Sequence, residues 1–129
     1  MTLAWSRYSA LVFAIGLAIG EAVINWANWQ WWPLWVVDYG IVLWLVAGFW
    51  ASRTAKRAHV LTTAWAFALG IFYLALFVTL DSIRHGAAAF EDEPVVIVLM
   101  AAMTIIAAVG VASSAYAQRC ADRVQEPSP

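Results

Sequence analysis

Charge is scarce in this chain. Only 12% of its 129 residues are Asp, Glu, Lys or Arg, while 64% are hydrophobic and the mean hydropathy is +0.77. A soluble domain carries roughly a quarter charged residues, and a soluble core of this size could not hide so much apolar surface. Cysteine is nearly absent too: the 1 cysteine, Cys120, sits in a polar C-terminal stretch. A disulfide framework and a cysteine-based metal motif are therefore excluded, and Cys120 reads as an ordinary free thiol. The formal net charge of −1 gives no global electrostatic reason to expect nucleic acid as a partner. Nor is there a phosphate loop, a nucleophile–base pair or a Cys/His cluster with metal spacing, so no enzyme signature emerges. "GLAIG" at Gly16–Gly20 lacks the third glycine of a dinucleotide fingerprint and lies inside an apolar run. His59 and His85 stand at opposite ends of another such run, which rules out bis-histidine haem ligation within one subunit.

What remains is apolar sequence in blocks. Segments at about 8–26, 33–51, 59–81 and 94–116 each approach the ~20 residues that a helix needs to cross a bilayer. The predicted architecture is all-α, an integral membrane four-helix transmembrane bundle over 1–118, followed by a short cytoplasmic tail at 119–129. Pro33 and Pro94 fall at segment starts, where the missing N–H costs nothing. Glu91, Asp92 and Glu93 precede the fourth segment and complement a helix N-terminus. The first segment resembles a signal peptide in Arg7 and "AIG", but its apolar run continues through Ile24 into tryptophans, so it is read as a retained helix.

Of the 7 basic residues, all but Arg84 (Arg7, Arg53, Lys56, Arg57, Arg119 and Arg123) fall on one side of this topology. The positive-inside rule places that side, with both termini and the "SRTAKRAH" loop, in the cytoplasm. The expected location is the inner (plasma) membrane, crossed several times.

Helices in lipid associate through small residues that let backbones approach. Gly16 and Gly20 form a GxxxG match in the first span. The fourth span carries small residues on two stripes, Ala101/Ala108/Ala112/Ala115 and Met103/Ala107/Gly110/Ser114. Both faces are expected to meet neighbours, either in the same bundle or in a membrane-protein partner or second copy.

Acidic residues at membrane depth are the candidate site. Helical spacing puts Ala14, Ala18, Glu21 and Asn25 on one stripe, which can continue to Asn28, and Glu21 lies ~20 Å along the first span. Asp38 lies ~8 Å inside the second span, at similar depth on the next, antiparallel helix. A carboxylate there costs on the order of 2.5–3.5 kcal/mol on insertion scales. Two close together are expected to share a proton or a cation, since both cannot stay ionised in low dielectric. The alternative is that each is hydrogen-bonded and serves helix association only.

Trp26, Trp29, Trp31, Trp32 and Trp35 crowd the outer boundary, as in an aromatic belt. Trp29 and Trp32 also fall near the Glu21–Asn25 stripe, where indole faces could cage an organic cation. Trp44 and Trp65, inside spans, are expected to fill core space or face lipid. Asp81 and His85, four apart, supply half a metal site; the competing reading is an Asp81–Arg84 ion pair at i, i+3.

Function stays open between classes. One reading is a small accessory or binding protein with an outer-side carboxylate-rich polar pocket, alone or as a subunit of a larger membrane complex. A second follows from a resemblance: in length, span number and the first-helix Glu21 the chain resembles the small multidrug resistance transporters. That resemblance implies proton-coupled transport of organic cations. The third span lacks that family's proline- and glycine-containing pattern, and the charge bias sets one orientation. The third reading is a metal- or cofactor-dependent membrane enzyme using Asp81, His85 and the acids, with no cofactor specified by any motif.

Overall fold

The computed structural model describes residues 3–25, 32–54, 57–85 and 93–125. They form α1 (Leu3–Asn25), α2 (Trp32–Ala51), α3 (Ala58–Arg84) and α4 (Glu93–Gln125), and no strand occurs among the described residues. Each of the 4 helices is long and apolar enough to cross a membrane, and the protein is a multi-pass membrane protein. The helices outrun the apolar segments. α1 begins at Leu3 rather than near Tyr8, and α4 continues through Arg119 and Arg123 to Gln125, into the stretch read as a tail. Bilayer thickness fixes how long the apolar run must be, not where the hydrogen-bond ladder stops. Gln and Arg are good helix formers, and Arg123 in the last turn favourably opposes the negative end of the helix dipole.

Paired contacts fix the register. Tyr8 meets Phe49 at 5.9 Å between ring centroids near one end of the α1–α2 pair, and Glu21 interacts electrostatically with Asp38 near the other. Gly48 lies against Leu61, and Trp44 against Phe67, so α2 and α3 are antiparallel as well. Trp65 packs on Gly110, while Phe72 shares a wall with Met100 and Met103, which reverses α4 relative to α3. The bundle is therefore up-down-up-down. Arg7, Arg53, Arg57, Arg119 and Arg123 gather at a basic end, and Glu21, Asp38 and Asp81 lie toward the opposite, acidic end.

Lipid offers no hydrophobic drive for helices to associate, so close packing has to hold them. The tightest packing is at Gly110. A Cβ there would fall inside the indole of Trp65, 2.8 Å from Cε3 and closer to Cδ2 and Cε2. Trp65 is wholly buried and meets Phe13 edge-on at 5.3 Å, carrying the α3–α4 contact across to α1. Gly48 plays a smaller version of the same part, with Leu61 Cα 3.0 Å from where its Cβ would stand. On α4 two buried hydroxyls are satisfied within the helix, Ser114 donating to the Gly110 carbonyl at 2.8 Å and Ser113 at 3.1 Å. That is the usual solution where no water can serve. Ser6 Oγ and Trp65 Nε1, in contrast, are buried with no hydrogen-bond partner among the described residues.

Small residues are used unevenly within the bundle. The GxxxG glycines make no close helix contact within the bundle, since a Cβ on Gly16 or Gly20 would meet nothing within 4 Å. Their partner face on α4 carries Leu99, Met100, Met103 and Ile106, whose bulk keeps the backbones apart. Of the α4 stripes, the Met103/Ala107/Gly110/Ser114 face packs inward, while Ala108 and Ala112 of the other stripe are exposed. Trp65 fills the core and Trp44 faces outward, 41% exposed.

Gly110→Val is expected to lower the stability of the purified protein by about 1–3 kcal/mol, the usual cost of overpacking. Gly20→Ala, which meets open space, should change it little. Thermal unfolding in a fixed detergent compares the two, and equal losses would contradict the packing described.

Candidate functional site: a lateral cleft with a carboxylate

α1 turns one stripe toward the seam with α4. Phe13, Gly16, Leu17, Gly20 and Glu21 recur at the three- and four-residue spacing that shares a helix face. With Phe72 of α3 and Leu99, Met100, Met103 and Ile106 of α4 they enclose a cleft of 310 Å³. The volume exists because α1 and α4 touch only sparsely and because Gly16 and Gly20 contribute no side chain to fill the gap. Phe13, Leu17 and Phe72 are buried and form its floor, while Leu99 and Ile106 are half exposed at its rim. The cleft thus opens sideways, where the surrounding medium is the hydrocarbon of the bilayer.

Glu21 is the single ionisable residue in the lining. It is partly buried, as is Asp38 on α2, and the two carboxylates are close enough to interact electrostatically. Glu21 therefore lines an apolar cleft while lying within electrostatic range of a second acid. The two acids expected at matched depth on antiparallel helices thus lie within that range of each other. Asp38 itself does not line the cleft.

The remaining candidates are placed differently. Trp29 lies outside the described residues, and so do Trp26, Trp31, Glu91 and Asp92; Asn25 and Trp32 are described as helix backbone only. Trp35 is exposed and packs against Tyr39 at 5.9 Å. Asp81 and His85 do pair: His85 Nδ1 stands 3.4 Å from Asp81 Oδ1 and 2.9 Å from the Asp81 carbonyl oxygen, to which it can donate. Both side chains are exposed, and neither lines the cleft. Among the described residues Asp81 pairs with His85 one residue further round the turn, and not with Arg84. Among the described residues no three His, Cys, Asp or Glu side chains gather as a metal would require.

No protein-family model matches the chain, and no curated protein or solved structure matches it. The chemistry of the site has to be read from its own residues. Those residues include several that the sequence left unremarked: Phe13, Leu17, Phe72, Leu99, Met100 and Ile106. A signal was present in α1, where a glycine pair runs directly into an acid on a stripe otherwise made of Phe and Leu.

Because the two acids interact, Glu21→Gln and Asp38→Asn should be non-additive. A double-mutant cycle on thermal unfolding is expected to show a coupling of at least about 0.5 kcal/mol, the double variant gaining less than the two single ones summed. Strict additivity would mean that the acids are independent.

Proposed function

We propose that the protein is a membrane-embedded binding protein that takes an amphipathic, cationic ligand from the bilayer into the α1–α4 cleft. The observation that carries this reading is the placement of Glu21 at the edge of an otherwise apolar cleft. Ligand sites are typically apolar, with a few polar groups fixing orientation, and run from about 300 to 1,000 Å³; 310 Å³ suits a small ligand. From Glu21 to Phe13 the cleft follows α1 for ~12 Å at the helical rise per residue. An ammonium group at Glu21 with a medium-length alkyl chain running toward Phe13 and Phe72 matches that shape and polarity. The topology rule supports cytoplasmic termini in an inner (plasma) membrane, with Glu21 toward the outer side. The binding protein acts alone or as the accessory subunit of a complex.

A second reading, proton-coupled transport of organic cations, is favoured by the Glu21–Asp38 interaction. A cation arriving at one of two coupled acids displaces a proton from the pair. Substrate-driven proton flux in proteoliposomes, abolished by Glu21→Gln, is expected on that reading.

The binding reading is tested with decylamine and decanol, which differ in the head group alone. In nanodiscs the amine is expected to bind roughly tenfold or more tightly than the alcohol, the range of a charge-assisted hydrogen bond. Glu21→Gln should erase the preference, and Gly20→Leu should block both ligands by filling the cleft. Equal binding of amine and alcohol by the unmodified protein would overturn the proposal.

A further inference from the structure

The basic end carries a second feature that the cleft does not use. Arg7 of α1 donates from Nε to the carbonyl of Phe49 at 3.2 Å, and its guanidinium carbon lies 5.0 Å from the centre of the Phe49 ring. Next along the chain, the Arg53 guanidinium carbon sits 3.7 Å from the centre of the Trp50 ring. Phe49 and Trp50 are themselves in edge contact at 5.8 Å. The end of α2 therefore holds two guanidinium groups on two adjoining rings, one from each side of the α1–α2 seam. Aromatic faces attract cations and restrict their motion, so less rotamer entropy is lost when these groups bind something. Neither arginine meets a carboxylate among the described residues. The acids with described side chains, Glu21, Asp38 and Asp81, lie toward the other end. Just inside the pair, Tyr8 and Val12 of α1 are 62% and 71% exposed, an open apolar surface leading into the membrane.

We propose that Arg7 and Arg53 form a specific site for an anionic phospholipid, its phosphodiester held between the two guanidinium groups and its acyl chains lying along Tyr8 and Val12. Guanidinium forks match phosphate oxygens, which a neutral surface does not, and the acyl chains find apolar surface directly beneath. Arg7 spends Nε on the Phe49 carbonyl, which leaves its terminal nitrogens for the phosphate. Arg57, Arg119 and Arg123 are exposed at the same end but rest on no ring among the described residues. They supply general attraction to an anionic surface.

The test is lipid binding to the purified full chain, read by native mass spectrometry and by thermal unfolding in detergent. Phosphatidylglycerol, phosphatidylcholine and water-soluble glycerol phosphate are each added. Phosphatidylglycerol is expected to bind with a stoichiometry of one and to raise the melting temperature, while phosphatidylcholine and glycerol phosphate do not. Arg53→Gln, whose exposed side chain caps no helix, should weaken phosphatidylglycerol binding by roughly five- to tenfold. The paired control Arg119→Gln/Arg123→Gln should leave the one-lipid complex intact. Arg7→Gln loses a contact to the α2 terminus as well, so Arg53→Gln is the deciding variant. Equal losses in Arg53→Gln and the control pair would show a diffuse basic surface and overturn the site. Stabilisation by glycerol phosphate alone would show a phosphate site with no lipid, and the absence of any phosphatidylglycerol effect would also refute it.

Discussion

The seating of Trp65 on Gly110 is the contact on which the rest of the bundle depends. In water a buried tryptophan is held largely by what it avoids; in lipid that term vanishes, and van der Waals fit has to do the holding. Gly110 supplies the fit, because no residue with a Cβ leaves room for the indole. The same ring touches Phe13, and Phe13 touches Phe72 at 5.7 Å. One side chain thereby ties α4 to α3 and sets where α1 stands.

The cleft follows from that arrangement. With α4 committed to α3, and α1 joined chiefly to α2, the α1–α4 seam is the least occupied edge of the bundle. Bulky α4 side chains face glycines across it, so neither a close backbone crossing nor a filled interface results. Elsewhere in the protein small residues close gaps; at Gly16 and Gly20 they leave one open. A carboxylate beside that opening is costly in hydrocarbon, and a ligand carrying positive charge would offset the cost. The basic end has the opposite chemistry, with guanidinium groups resting on the rings of Phe49 and Trp50. The protein thus offers an anionic group near one end and cationic groups at the other, each beside apolar surface.

Much of this was legible in the sequence, for identifiable reasons. The four spans could be read because bilayer thickness demands apolar runs far longer than chance supplies. That Glu21 and Asp38 come within electrostatic range could be read because antiparallel neighbours bring equal depths together. The rotation of each helix about its own axis could not. Spacing along α1 groups Gly16 with Gly20 but does not say whether that face meets a backbone or a gap. On α4, Gly110 was one small residue among many until Trp65 was found against it. Asp81 had Arg84 and His85 equally within a turn, and the choice between them depends on side-chain direction at a helix end. The tryptophans around residues 26–31, and with them the aromatic-cage expectation for Trp29, lie outside the described residues.

The central claim is that the α1–α4 seam is open to the bilayer while the α3–α4 seam is closed by Trp65. Carbene footprinting in liposomes, with an apolar diazirine that partitions into the hydrocarbon, reads both seams together by peptide mapping. Labelling of Met100 and Met103 in the cleft, with Ala64 and Ala68 beside Trp65 unlabelled, is the expected pattern. Protection of Met100 and Met103 to the same degree as Ala64 and Ala68 would contradict the account.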